Sequence, residues 1–555
     1  MYDLIGIPRF KFGHIQPVLE KLATYTEELS TWCGELYFET HRGTLTTQAA
    51  VKRLNRRAEE ALRAAEMICA CGKLSEYPGA ELDNLWKEVL INQFHDIIPG
   101  SSIKRVYDET VPQLQNVVDS AGAFVQKFGK KMLKKNKDAL TVFNPSTEDI
   151  ETIIELPKGW TGICDDEGNI AAAQIEGGNA FAKIKISGQN FATFTKAKGA
   201  EKVVQEDTSK KRKFVLENKH VSYEFNAQFQ LIKGFDKKAG VEFINGEEPG
   251  NRLEIFVDHG YVGRDAWDIE EHYRRQLADT AKVTAIESIS GSMRSGFSVR
   301  YTIGEKSAIR QFIWLEADSK RLDFVTEVDW YETHRLLRVA FPTTIKSDTA
   351  TSEIQYGFVK RSTTDNTTWD YAQFECAAHR FVDLSHMEYG VTLLNDSKYG
   401  YRAKGQALEL SLLRSPTDPD PVADKGLQKF TYAILPHTGS LICSNVRAHA
   451  AVLNQGVEIF YGFESAGKTL PVSVKSAEGI DLAVVKKADK ENCIVARVVE
   501  TRGLPSKGKL ISTNRNSRIV PTNLVEWIDD EKGQTTGCAD LALKPFEIKT
   551  FKVYL

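Results

Sequence analysis

The 555-residue chain contains no apolar run approaching the length of a membrane span, and its opening Met1-Tyr2-Asp3 begins no signal peptide. Neither charge is in excess. With 72 Lys and Arg against 75 Asp and Glu, the net charge is -3, and the two signs are mixed throughout. Nucleic acid and anionic membrane surfaces are therefore not implied as partners. The short basic runs, Lys210-Lys211-Arg212-Lys213 and Lys130 to Lys137, read as solvated faces. Cysteine is sparse and scattered, at Cys33, Cys69, Cys71, Cys164, Cys376, Cys443, Cys493 and Cys538. Only Cys69-Ala70-Cys71 is close-set, with no second pair to complete a metal site, so the thiols suit a reducing cytosol better than a disulfide framework. There is no fixed-period repeat and no low-complexity segment. The sequons Asn366-Thr367-Thr368 and Asn395-Asp396-Ser397 mean little without a signal peptide.

What is present is enough apolar residue, 42% of the chain, to bury several cores, and a length that calls for several domains. The chain changes character near residue 138. Before it, apolar residues keep helical period. Val51, Leu54, Ala58, Ala61, Leu62, Ala65 and Ile68 form one stripe. Ile103, Val106, Tyr107, Leu114, Val117, Val118, Ala121 and Val125 form another, with a third between them from Leu82 to Ile97. Three amphipathic helices with short breaks read as a helical bundle. After residue 138 short strands dominate. Leu322, Phe324, Val328 and Trp330 alternate with Asp323, Glu327 and Asp329, and Leu408, Leu410 and Leu412 alternate likewise. Phe546, Ile548, Phe551 and Val553 predict a last strand with a slip, as at a bulge. Such runs suggest β-sandwiches. Ahead of the bundle, Phe10 to Leu29 reads as a helix and Thr31 to Thr40 as a strand, an αβ piece of a larger layered domain whose start is missing.

The most informative stretch is Asn92-Gln93-Phe94-His95-Asp96-Ile97-Ile98-Pro99-Gly100-Ser101-Ser102. Leu82, Leu85, Trp86, Val89, Leu90, Phe94 and Ile97 would face a core, and Pro99-Gly100 would stop the helix. That places His95 on a last helical turn, where a neutral imidazole can bind a divalent metal and the neighbouring Asp96 can hold a sugar hydroxyl. The residues alone also allow an ordinary satisfied core histidine beside a helix-end carboxylate.

A family resemblance bears on that choice. Gly34-Glu35-Leu36-Tyr37-Phe38-Glu39, His41-Arg42-Gly43-Thr44, Thr46-Thr47-Gln48-Ala49 and Lys52-Arg53 resemble the junction of barrel and helical bundle in α-mannosidases of glycoside hydrolase family 38. Asn92-Gln93-Phe94-His95-Asp96 with Pro99-Gly100-Ser101-Ser102 resembles the bundle motif of the cytosolic and vacuolar branch. Val142-Phe143-Asn144-Pro145 is similar to the entry of its first β-domain. Asp265-Ala266-Trp267-Asp268, Asp323-Phe324 through Asp329-Trp330, Leu394-Asn395-Asp396-Ser397-Lys398-Tyr399-Gly400-Tyr401, and Leu413-Arg414-Ser415-Pro416 with Asp418-Pro419-Asp420-Pro421 are similar to its central β-domain. The motifs run in order along essentially the whole chain.

The resemblance implies a zinc ion (or another divalent metal such as cobalt) at the floor of the active site. It also implies retention of configuration by a carboxylate nucleophile and a carboxylic acid/base. It implies His95 as a metal ligand and Asp96 as a sugar-hydroxyl acceptor. The family's His-x-Asp metal pair has no counterpart in this chain, so the chain reads as the C-terminal part of such an enzyme. The acid/base either lies in the missing barrel or is Glu35, with Glu39 as rival. Arg42, Trp267, Asp268 and Tyr399 are further candidates for lining the sugar site, although an aromatic in a strand also reads as core. Relatives usually carry Tyr where this chain has Leu45.

The expected fold class is thus multidomain α+β: a fragment of an α/β barrel at 1–44, a three-helix bundle at 45–137, then β-sandwich domains at 138–220, 221–440 and 441–555. The expected function is zinc-dependent, retaining hydrolysis of terminal α-linked mannose from oligosaccharides, with this chain inactive alone. The alternatives are a non-catalytic carbohydrate-binding or scaffold protein, and half of a split enzyme completed by a separate barrel chain. The expected location is the cytoplasm, or the vacuole reached without a signal peptide, and a homo-oligomer is allowed. Leu36 and Phe38 are expected to be exposed, because the rest of a barrel would normally cover them.

Overall fold

The computed structural model describes residues 5, 6, 8, 11–207, 213–259, 264–465, 467–476, 478–528 and 533–555. Met1-Tyr2-Asp3, Phe10 and the basic residues 210–212 lie outside them. The chain divides into two compact units, Met1–Phe38 and Glu39–Leu555.

In the first unit the expected long helix is a short one. Helix α1 spans Gln16–Ala23, with Pro17 in its first turn, and a 3₁₀ turn follows at Thr26–Glu28. Two hydroxyls compete with the backbone at its end: Thr24 Oγ1 donates to Lys21 O (2.7 Å) and Thr26 Oγ1 to Ala23 O (2.6 Å). No residue of α1 is buried. The strand expected from Thr31 to Thr40 does not form. The segment has no ladder partner among the described residues, and an unpaired strand cannot sustain itself. Leu36 (83%) and Phe38 (67%) are exposed, although the strand on which that expectation rested is absent.

In the second unit the three helices form where the apolar stripes recur. Helix α2 is Ala49–Ala70, α3 is Gly79–Asn92 and α4 is Lys104–Met132. Val51, Leu54, Ala58, Leu62, Ala65 and Ile68 of α2 are buried against Leu114, Val117, Ala121 and Val125 of α4 in one cluster. That cluster continues into the C-terminal sandwich through Leu482, Val485, Ala496 and Val553. Arg63 Nε also donates to Ala483 O (2.9 Å), so the bundle rests on this sandwich.

After the bundle, strand Lys134–Phe143 enters an eight-stranded sheet. Its edge partner comes from far along the chain: Val142 pairs with Ile459, and Thr141 Oγ1 donates to Phe463 O, 322 residues away. The last turns of α4 pack on the same strand, where a Cβ on Gly129 would lie 2.2 Å from Phe460. Helix α5 (Thr368–Ala372) and helix α6 (Val446–Asn454) decorate the β-region.

The central region is a ten-stranded, a six-stranded and a four-stranded sheet sharing one core. Strand Leu322–Trp330 shows the expected alternation, with Leu322, Phe324, Val328 and Trp330 fully buried. Strand Ala407–Arg414 differs from its alternating pattern, because nearly all of it is buried. Its polar face is covered by ion pairs: Glu409 meets Arg402 (2.8 Å), Arg274 (3.0 Å) and Arg338 (3.5 Å). These guanidinium groups outweigh the cost of burial and hold the Glu409 carboxyl down to about 2. The final strand, Ile548–Tyr554, pairs without a register shift. The slip in its pattern arises at Phe546, just outside the strand, whose φ is +58°. Among the described residues no helix is long and apolar enough to cross a membrane.

Candidate functional site

The segment carrying His95 is a turn, not a helix end. Helix α3 stops at Asn92, seven residues before Pro99, because the next side chains are drawn sideways. Asn92 Oδ1 accepts from Thr110 Oγ1 (2.8 Å) and its Nδ2 donates to Gln113 Oε1 (3.2 Å), both on α4. Gln93 Nε2 donates to Asn55 Oδ1 (3.0 Å) and Glu59 Oε1 (2.7 Å) on α2. The backbone then folds back: the amides of Ile97 (2.9 Å) and Ile98 (3.2 Å) donate to Phe94 O, and that of Gly100 to Ile97 O (3.1 Å). Leu85, Leu82 and Val89 face the core as expected, whereas Leu90 (61%) and Phe94 (55%) are exposed. They lie on the helical period but point away from α2 and α4.

His95 and Asp96 are together on this turn, with Nε2 3.6 Å from Oδ2. The His95 side chain is 77% exposed and that of Asp96 45%. Ser101 Oγ donates to Asp96 Oδ1 (3.0 Å), which holds the carboxylate and leaves Oδ2 on the His95 side, while Tyr107 Oη donates to the backbone Asp96 O (3.2 Å) and holds the turn. The His95 ring packs on Phe94 at 4.2 Å between centroids. A buried, satisfied core histidine is not what the sequence has built here.

The turn is held on the start of α2. Gly100, at φ +94°, is so close to Thr47 that a Cβ would lie 2.6 Å from Thr47 O. Lys52, buried on α2, donates to Ile98 O (2.9 Å), Pro99 O (3.2 Å) and Thr47 O. The first amides of α2 are capped by Asp424, which accepts from Gln48 N (2.8 Å) and Ala49 N (2.7 Å). Burial pushes the Asp424 carboxyl up to about 6 and pulls the Lys52 ammonium down to about 7.

The other candidates fall in two places. Arg42 and Asp268 meet. Arg42 N donates to Asp268 Oδ1 (3.0 Å), the guanidinium stands 3.8 Å from the same oxygen, Nη2 donates to Ala372 O (3.0 Å), and the group lies over Phe374. Trp267, half-buried, accepts from Thr44 N through its carbonyl (3.2 Å). Tyr399 is elsewhere, under the Arg56 guanidinium at 4.3 Å, and its Oη accepts from Arg56 Nε (3.1 Å). Arg56 also reaches Asn395 Oδ1 (3.0 Å), so the sequon asparagine is a buried hub and not a surface residue. Asn366 is exposed. Glu39 is exposed. Glu35, in the N-terminal unit, is half-buried, and its carbonyl accepts from Trp32 Nε1 (3.1 Å).

Sequence reasoning overlooked Lys52, Asn55, Arg56 and Glu59. Their spacing of three and four is itself the signal: a polar stripe beside the apolar stripe of α2, three of its members buried. It also overlooked Asp424 and the buried ion pair of Arg414 Nε with Asp258 Oδ2 (2.5 Å), for which no local pattern exists.

The family model "Alpha mannosidase middle domain" matches residues 39–132. "Glycosyl hydrolases family 38 C-terminal domain" matches 216–422, and "Glycosyl hydrolases family 38 C-terminal beta sandwich domain" matches 479–551. The chain belongs to glycosyl hydrolase family 38. Alpha-mannosidase G of Dictyostelium discoideum is 32% identical over 99% of this chain and 55% of its own length. The alpha-mannosidase of Saccharomyces cerevisiae is 31% identical over 95% of this chain and 49% of its own length. For human alpha-mannosidase 2C1 the figures are 32%, 81% and 43%. The chain thus spans about half the length of these relatives. An alpha-mannosidase structure from Enterococcus faecalis superposes with a TM-score of 0.74 over 97% of this chain and 72% of that one. At 18% identity it speaks for the fold alone. Family 38 membership accounts for the helical middle domain and the sandwiches as one inherited architecture.

Among the described residues no group of three or more His, Cys, Asp and Glu could hold a metal ion. A catalytic zinc site keeps at least three protein ligands. His95 and Asp96 offer the right donor types for part of such a site, and too few for the whole.

Proposed function

We propose that this chain is the middle and C-terminal portion of an α-mannosidase that removes terminal α-linked mannose from oligosaccharides with retention. In this reading His95 is one ligand of a zinc ion, or of another divalent metal such as cobalt, and Asp96 accepts a hydrogen bond from a sugar hydroxyl. The remaining ligands and the nucleophile are supplied from outside the described residues. The metal, when bound, would grip vicinal hydroxyls and aid ring distortion. The protein's own residues hold the donors: Ser101 and Tyr107 fix Asp96, and the imidazole stands beside it on a turn open to solvent.

One observation carries the reading. His95 is an exposed imidazole next to a restrained carboxylate, on a turn that three helices cooperate to shape. The general acid is Glu35, or Glu39 as its rival, or a residue of the barrel. The cytosol or vacuole is the proposed location. The test is to assay the chain on an aryl α-mannoside with Zn²⁺ or Co²⁺, alone and mixed with a family 38 barrel chain. Activity should appear only in the mixture and should be lost in His95→Ala. Activity of the chain alone at an ordinary enzyme rate would refute the reading.

A further inference from the structure

We propose that Lys52 is the positioning residue of the His95-Asp96 turn, its buried ammonium drawing the carbonyls of Thr47, Ile98 and Pro99 to one point on α2. Two short segments that share no secondary structure end at this ammonium. One is the 3₁₀ turn Arg42–Leu45 with its continuation to Thr47, which leads into α2. The other is the turn that carries His95. Their carbonyls point at each other and would repel without a donor between them. An ammonium has three N–H groups, and here each has a backbone oxygen to meet.

Gly100 shows how tight the approach is, since no Cβ fits between it and Thr47. Placing an apolar side chain at position 52 would leave three carbonyls without their donor, a loss that only movement of the turn or entry of water repairs. The cost of burying the charge is offset only in part. Asp424 favours the ammonium, while burial, Lys398 and Arg414 disfavour it. Asp424 in turn is tied to the first amides of α2, so the clamp and the helix cap form one unit. The clamp stands on this geometry. Its meaning for metal binding rests on the proposed role of His95.

The experiment measures amide exchange across 93–102 in the whole chain by mass spectrometry, for wild type, Lys52→Met and Lys52→Arg. The amides of Ile97, Ile98 and Gly100 are the reporters. In Lys52→Met they should exchange about tenfold faster, while peptides from strand Leu322–Trp330 stay unchanged, and Lys52→Arg should recover part of the protection. Exchange in Lys52→Met within about twofold of wild type would overturn the proposal. If Lys52→Met does not fold, Lys52→Gln, whose shorter amide cannot bridge all three carbonyls, takes its place, and exchange of 93–102 within about twofold of wild type would overturn the clamp. Chains carrying ¹³C-labelled histidine, mixed with a family 38 barrel chain and titrated with Zn²⁺, separate the two readings. A faster-exchanging turn in Lys52→Met together with a wild-type His95 signal indifferent to Zn²⁺ in the mixture supports the clamp and refutes the metal role.

Discussion

Gly43 lies directly on the guanidinium of Arg414: a Cβ at position 43 would stand 2.2 Å from Nη1 and 2.8 Å from Cζ. Arg414 is fully buried. It donates through Nη1 to Ala266 O (2.9 Å) and Thr47 Oγ1 (3.2 Å), and through Nε to Asp258 Oδ2 (2.5 Å). The glycine is therefore what lets the entry to the bundle sit on the central sandwich. Gly43→Ala should destabilise the chain by about 1–3 kcal/mol, as overpacking of a close contact does. A thermal unfolding midpoint equal to wild type would contradict this.

Glu66 gives a pH dependence with a definite sign. It is buried in α2 and accepts from Trp86 Nε1 (3.1 Å), and burial raises its carboxyl to about 7 from 4.5. Between those values the folded chain holds a proton that the unfolded chain has released. The stabilising contribution is thus complete below the unfolded value and is lost as pH rises through 7. Glu66→Gln, which keeps an acceptor for Trp86, should be more stable than wild type by on the order of 2–3 kcal/mol at pH 8, and nearly equal to it at pH 4. Melting curves at the two pH values decide it. A gain that is the same at both would show that burial of the charge is not the cause.

Arg42 and Asp268 spend much of their bonding on each other and on nearby backbone. Asp268 Oδ1 also accepts from Ile269 N (2.9 Å). Arg42→Ala and Asp268→Ala should therefore be non-additive in stability, with a coupling of about 0.5–3 kcal/mol. A double-mutant cycle of thermal midpoints returning strict additivity would show that the pair does not act as one unit.

The acid/base assignment makes a kinetic prediction for the chain combined with a barrel. If Glu35 protonates the leaving oxygen, Glu35→Gln should slow mannosides with poor leaving groups far more than activated aryl mannosides, by about 10²–10⁴-fold. The same pattern in Glu39→Gln alone names the rival. Its absence from both places the acid in the barrel.

Exposed apolar side chains should be measurable in the isolated chain. Leu90, Ile91, Phe94 and Ile103 are exposed in the bundle, and Leu36 and Phe38 in the N-terminal unit. The chain should bind a hydrophobic dye, and Leu90→Glu with Phe94→Ser should reduce that binding. Equal dye binding by the variant would assign the signal elsewhere.

Much of the fold was legible because burial repeats with a fixed period. The α2 stripe from Val51 to Ile68 and the alternation from Leu322 to Trp330 are local signals of that kind. What escaped depends on partners that no local window contains. Phe94 keeps the sequence period of α3 yet is exposed, because Asn92 and Gln93 are pulled to α4 and α2 and the helix ends before it; Leu90, within the helix, is exposed on the face that no other helix covers. Leu408 to Leu412 reads as half-buried because two of the three arginines that cover Glu409, Arg274 and Arg338, come from distant segments. At the site, adjacency in sequence kept His95 and Asp96 together. The clamp at Lys52 and the cap at Asp424 join residues far apart in the chain, and only the folded neighbourhood reveals them.

The pairing of strand Lys134–Phe143 with Glu458–Glu464 sets an order on synthesis. Thr141 leaves the ribosome 322 residues ahead of the carbonyl it will bond, that of Phe463. At about 5–20 residues per second, that edge of the first sheet waits on the order of 15–65 s for its partner. The whole central sandwich is made in the interval, so it can fold before the sheet that precedes it is closed. During that wait the open strand is a template for the wrong neighbour. Nascent chains arrested before residue 458 should therefore be the aggregation-prone ones, and those arrested shortly after residue 464 has cleared the exit tunnel should not.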